Sequence, residues 1–308
     1  MDKKILVTID GSVYSNNSLD YLGSLFSGQE QFSFHLLSCI SSSSTLPEAA
    51  DSRNSLMPEN PTHQKNMGTA RIRLKKSMDR LVQHVITPDR VTTAVLSGGT
   101  NISATIQHEA NRLLVDAVTV GRRGIGRVGE MLMGSVSGSL FKRCHSTPLW
   151  IIDGDIQPEN LLLPLDRTVH SLMAIDHLCH ILAGRTDLTI HLFHCRRLFG
   201  TAKKNVSEEI YRKWEEKWCG DVDNEDDFLL HGPVRQLIDA GIPRENLNIL
   251  PRSIDLEESH SIMRTARQLK CGTIVMGRRG VGMAKGLFGG VSDRTLNRVQ
   301  NMALWIVG

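Results

Sequence analysis

The sequence predicts an α/β fold made of two doubly wound, five-stranded parallel-sheet domains in tandem repeat. Short apolar runs alternate with helix-period patterns in both halves. The runs are apolar at nearly every residue, as in strands covered on both faces. Three segments also recur at a single offset. Residues 5–10 (ILVTID) stand 156 positions before 161–166 (LLLPLD), 34–39 (FHLLSC) 156 before 190–195 (IHLFHC), and 117–124 (AVTVGRRG) 156 before 273–280 (TIVMGRRG).

In the first half, strands are expected at 4–10, 32–39, 91–97, 116–121 and 148–152. Helices are expected at 15–26, 68–85, 102–114 and 135–144. Ile102, Ile106, Ala110 and Leu113 follow the three-to-four spacing of a buried helical stripe. The second half repeats the scheme with strands near 160–165, 188–195, 247–251, 272–277 and 303–307. The turn-rich stretch DGDIQPEN separates a first domain, 1–153, from a second, 159–308. Two segments break the symmetry. Residues 41–65 are rich in Ser, Pro and Asn and read as a loop. Residues 203–230 carry a helical pattern (SEEIYRKWEEKW) and an acidic run (DVDNEDD) that reads as solvated surface.

Composition narrows the function classes. The chain has 308 residues, 40% hydrophobic and 22% charged, enough apolar material for two cores. A net charge of +3 gives no case for nucleic acid or a membrane surface as partner. No run approaches the length of a membrane span, and the N-terminal MDKKILVTID runs straight into a strand without a leader pattern. The six cysteines are scattered and form no CxxC pair. The expectation is a cytoplasmic protein with free thiols.

Chemistry concentrates in the loop after the fourth strand, GRRGIGRVGEMLMGS, at 121–135. In an open α/β sheet, ligands sit beyond the carboxyl ends of the strands. Glycines let the backbone approach an anion, and the following helix N-terminus adds unpaired N–H groups and a positive dipole end. No P-loop string occurs. G-x-G-x-x-G matches at Gly124, Gly126 and Gly129, but after the fourth strand rather than the first, so the dinucleotide reading is rejected. Arg122 and Arg123 read as exposed loop arginines, with a phosphate contact from them as the alternative.

Gly121-x2-Gly124-x9-Gly134-Ser135, together with the Asp10-Gly11-Ser12 turn after strand one, resembles the universal stress protein family. The resemblance spans the chain as two family domains of the adenine-nucleotide α-hydrolase-like type and implies ATP binding, with Mg²⁺ as the ordinary companion of its phosphates. It implies that Asp10, with Gly11 and Ser12, meets adenine or ribose and that Cys39 lines the adenine pocket. Gly121 would lie against the ribose, and Gly124, Gly134, Ser135, Val136 and Ser137 would surround the phosphates. In the second half the motif is degenerate. Asp166 is kept but Arg167-Thr168 replace Gly-Ser, and the loop loses one residue and its serine. A weaker second site would comprise Asp166, Cys195, Gly277, Gly280, Gly289, Gly290 and Ser292.

The resemblance further implies that the halves pair through 149–152 and 304–307 as an intramolecular pseudo-dimer, with a homodimer as a further expectation. The favoured function is an ATP-binding stress-response regulator or sensor rather than a dedicated catalyst. The alternatives are a slow ATP hydrolase or nucleotidyl-transfer enzyme on the same fold, or a nucleotide-free interaction scaffold. Glu130 is the one loop acid, and the second copy has Lys285 or Gly286 there. No catalytic triad is arranged in the sequence. His177, Cys179, His180, His191, His194 and Cys195 invite a metal reading. His191 and His194 face opposite sides of a strand, however, so no closed ligand set emerges.

Overall fold

The computed structural model describes residues 2–41, 61–97, 99, 101–124, 133–166, 168–197, 225–278 and 290–308. It divides into two compact units, Met1–Cys144 and His145–Gly308.

The first unit runs β1 (Lys3–Thr8), α1 (Val13–Leu25), β2 (Phe32–Ile40), α2 (Pro61–Val82), β3 (Val91–Ser97), α3 (Ile102–Leu113), β4 (Ala117–Gly121) and α4 (Ser135–Arg143). Its strands pair in parallel in the order β3-β2-β1-β4, with Ile5 opposite both Phe34 and Ala117. The central strands are the most apolar because helices cover both faces, and β4 is buried at every position. Strand order reverses between β1 and β4, the switch point where such sheets open a crevice at their carboxyl ends. Ser12 caps α1 by accepting from the Ser15 amide at 3.2 Å, and Asn101 caps α3 by accepting from the Ala104 amide at 3.1 Å.

The second unit runs β5 (Leu149–Asp153), β6 (Asn160–Leu165), α5 (Val169–Leu182), β7 (Thr189–Arg197), α6 (Glu225–Asp239), β8 (Leu247–Ile249), β9 (Ser253–Asp255), α7 (Glu258–Gln268), β10 (Thr273–Gly277), α8 (Val291–Arg298) and β11 (Met302–Val307). Five parallel strands take the order β8-β7-β6-β10-β11, the same winding with its fifth strand in place. β5 lies in this unit and pairs antiparallel with β11, Trp150 opposite Trp305. The two indoles stack with centroids 3.9 Å apart at an interplanar angle of 5°. Trp150 Nε1 donates to His177 Nε2 at 3.1 Å.

Three elements differ from the sequence expectation. α2 begins at Pro61, not near Gly68, so residues 61–65 of the expected loop are helical; 42–60 lie outside the described residues. The first two turns of α2 bury nothing, and its buried side chains begin at Ala70. The strand expected at 247–251 is two short strands, β8 and β9, separated by Pro251, which has no N–H for a ladder. β1 ends at Thr8 because Asp10 leaves the ladder for a turn, accepting from the Ser12 amide at 2.9 Å. The helical pattern at 207–218 lies outside the described residues.

Candidate functional site

A cavity of about 360 Å³ opens in the first unit at the switch point. Asp10, Cys39, Gly121, Gly124, Gly134, Ser135, Val136 and Ser137 all line it. Thus the ends of β1, β2 and β4 converge there on the start of α4. Gly11 and Ser12 do not line it. Gly11 holds φ of +82°, which the turn requires, and Arg73 of α2 packs on its outer side. The Ser12 hydroxyl is occupied in capping α1.

The spacing between the motif glycines has direct physical causes. A Cβ on Gly124 would stand 2.7 Å from Asp10 Oδ2, and one on Gly121 would stand 2.9 Å from Tyr14 Cβ. The Gly134 amide returns to the carbonyl of Arg122 at 2.9 Å, and the Ser137 hydroxyl donates to the same oxygen at 2.8 Å. These two bonds tie the described ends of the loop together. Gly134 is the α4 N-cap and supplies no capping side chain. The helix bonds begin with the Gly138 amide on the Gly134 carbonyl, at 2.9 Å. The amides of Ser135, Val136 and Ser137 are therefore the donors that a helix start leaves for an outside acceptor.

Leu37, Ile102, Ile106 and Val120 give the cavity an apolar wall. Sequence reasoning did not assign these residues to the site, although Ile102 and Ile106 stand on the predicted α3 stripe. Cys39 belongs with this wall. Burial, helped by the nearby Glu109 carboxylate, pushes its thiol up to about 11, so it is a neutral lining group. Glu109 is itself buried and accepts from Arg112 at 2.6 and 2.8 Å. The hydrogen bond from Arg112 holds its carboxyl below the usual range. The arrangement suits a ligand with a flat apolar part and an anionic part.

The arginines correct the sequence reading. Arg122 is 1% exposed rather than a surface residue, and its carbonyl anchors the returning Gly134 and Ser137. Arg123 is half-buried and lines the cavity. Its Nη1 donates to the Tyr14 hydroxyl at 3.0 Å, and its guanidinium stands 5.4 Å from that ring's centroid.

The second unit places the counterpart residues differently. Asp166 Oδ1 accepts from the Thr168 amide at 3.1 Å, the Thr168 hydroxyl at 2.5 Å and the Ser171 hydroxyl at 2.6 Å, so its own turn engages the carboxylate. A Cβ on Gly277 would stand 2.2 Å from the His170 carbonyl oxygen. Gly290 caps α8, Ser292 is buried, and Asp293 Oδ2 stands 3.2 Å from where a Gly290 Cβ would be. A carboxylate thus sits in the first turn of α8 and disfavours another anion there. Cys195 opposes Ser253 in the ladder; its side chain, and all of Gly280 and Gly289, lie outside the described residues.

Among the described residues, no three His, Cys, Asp or Glu side chains are grouped to hold a metal ion. His194 Nδ1 is 2.8 Å from the Leu165 carbonyl. Among the described residues no helix is long and apolar enough to cross a membrane.

Residues 1–152 match the sequence profile of the Universal stress protein family. No curated protein matches the chain in sequence. In structure, the chain is similar to a universal stress protein from Archaeoglobus fulgidus DSM 4304, with TM-score 0.64 and 17% identity over 99% of this chain and 97% of that one. It is also similar to a functionally unknown protein from Pseudomonas aeruginosa PAO1, with TM-score 0.57 and 14% identity over 99% and 92%. At these identities the likeness speaks for the fold.

Proposed function

Because the chain belongs to the universal stress protein family through residues 1–152, we propose that its first domain binds ATP and that the protein works as a cytoplasmic stress-response regulator. The observation that carries the proposal is the single cavity in which the Asp10 carboxylate, the apolar wall around Cys39 and the open amide end of α4 meet. Adenine fits the wall, and a phosphate chain fits the amides of Ser135, Val136 and Ser137. Asp10, which lines the cavity, is proposed to accept from ribose or adenine rather than to act as a base. Occupancy would alter what the protein contacts.

The second domain is proposed not to take nucleotide, because its own groups engage Asp166 and Asp293 stands at the α8 terminus. A pseudo-dimer of the two domains through their last strands is also part of the reading.

The test is to denature freshly purified protein and quantify released nucleotide per chain. About one ATP per chain, lost in Gly134→Val and kept in Gly290→Val, is expected. No nucleotide, and no uptake of added millimolar ATP, would refute the reading. Bound ADP with measurable turnover would favour a hydrolase.

A further inference from the structure

We infer that Arg123, held by Tyr14, is a phosphate-recognising side chain of the first-domain cavity and makes the site selective for anionic over neutral nucleosides. This rests on the nucleotide reading above and adds a side chain to a site otherwise built from backbone donors.

Arg123 follows β4, lies between the motif glycines Gly121 and Gly124, and lines the cavity with a half-buried side chain. Two contacts with Tyr14 fix its guanidinium: a hydrogen bond of 3.0 Å from Nη1 to the hydroxyl, and the ring face at 5.4 Å. Tyr14 packs closely on Gly121: a Cβ there would stand 2.9 Å from Tyr14 Cβ and 3.2 Å from its carbonyl oxygen. The absence of a side chain at Gly121 thus lets Tyr14 in, and Tyr14 in turn places Arg123. A guanidinium presents its N–H donors in a planar fork, and that rigid geometry matches phosphate oxygens. Holding it against a ring removes the side-chain entropy that a free arginine would lose on binding. The α4 start lines the same cavity, and its Ser135 to Ser137 amides would supply donors to the same anion. The repeat offset sets His170 at the Tyr14 position, so the second domain lacks the hydroxyl that holds the arginine.

Tyr14 is a positioning residue, and the two positions are tested together. Isothermal titration of the full chain with ATP, adenosine and inorganic tripolyphosphate is compared for wild type, Arg123→Gln, Arg123→Lys and Tyr14→Phe, with melting temperature as the folding control. Arg123→Gln should weaken ATP and tripolyphosphate about tenfold or more and adenosine less than about twofold. Arg123→Lys should recover part of the loss, and Tyr14→Phe should lose a smaller share with the same selectivity for phosphates. Equal losses for ATP and adenosine, or no loss, would overturn the inference and leave ATP binding standing. Wild-type binding of tripolyphosphate that depends on Arg123, without ATP binding, would keep the anion site and refute the nucleotide reading. No binding of any of the three would overturn both.

Discussion

The Asp10 carboxylate rests on the backbone of Gly124: a Cβ at that glycine would stand 2.7 Å from Oδ2. Two loops from the two strands at the switch point therefore share one small volume, and ligand and carboxylate compete for what is left of it. Gly124→Ala is expected to push the carboxylate aside. The obstructing atom is the far end of a side chain, so the fold loses under about 1 kcal/mol. ATP affinity should fall about tenfold, because a charge-assisted hydrogen bond is misplaced. Melting temperature and titration calorimetry on the same sample separate the two effects. A large loss of stability would mean that the loop backbone, not Asp10, needs the glycine.

The two GRRG copies should respond differently to the same change. At Gly277 the nearest atom to an added Cβ is the His170 backbone oxygen, at 2.2 Å, and backbone cannot swing away. Gly277→Ala should therefore cost roughly 1–3 kcal/mol of stability by overpacking. At Gly121 the nearest atom is Tyr14 Cβ at 2.9 Å, so Gly121→Ala should cost less in stability but displace Tyr14 and weaken phosphate binding. Urea unfolding of the two variants, monitored alongside wild type, checks the order.

The framework and most of the cavity were legible in the sequence for identifiable reasons. Buried parallel strands announce themselves by continuous apolar runs, and the single offset of 156 located both sets of strands. Gly121, Gly124 and Gly134 could be read because a close backbone approach leaves glycine no substitute. What was not legible depends on contacts remote in sequence. Arg122 is buried and its carbonyl holds a loop returning 12 residues later, neither of which its charge suggests. The Arg123–Tyr14 pair joins residues 109 apart in the chain. The first turns of α2 carry no buried stripe, so Gly68 looked like a helix start. The degeneracy of the second copy shows in the lost serine, whereas the approach of the Asp293 carboxylate to Gly290 depends on how the α8 start folds.

Trp150 and Trp305 stack as equals but are not energetically equivalent. Trp150 Nε1 donates to His177 Nε2 at 3.1 Å, whereas among the described residues Trp305 Nε1 is buried with no hydrogen-bond partner. Replacing either with Phe removes a similar apolar area and half of one stack. Trp150→Phe also strands the His177 acceptor in the core, at a further cost of about 1 kcal/mol or more. Trp305→Phe removes a donor with no partner among the described residues, so it should be the milder change. Chemical denaturation of the two variants should show this order, and the reverse order would mean that the indole of Trp305 finds a partner in solution.

His177 should make the second unit acid-labile. Burial, with the nearby His180 charge adding to it, drops its pKa from 6.5 to about 3, so the folded protein holds the ring neutral as the acceptor of Trp150. The unfolded chain binds a proton near pH 6.5 that the folded chain refuses until about pH 3. Stability from this group is therefore complete above pH 6.5 and declines as pH falls, by about 1.4 kcal/mol per pH unit while the difference lasts. Burial lowers His35 and His191 in the same direction, so wild type alone would not isolate the effect. His177→Gln keeps an acceptor for Trp150 but cannot take up the proton. Urea unfolding at pH 7.5 and pH 5.5, followed by tryptophan fluorescence, should show wild type losing about 1.4 kcal/mol more than the variant. Parallel losses in the two proteins would show that His177 is protonated in the folded state, and the neutral-acceptor assignment would then fail.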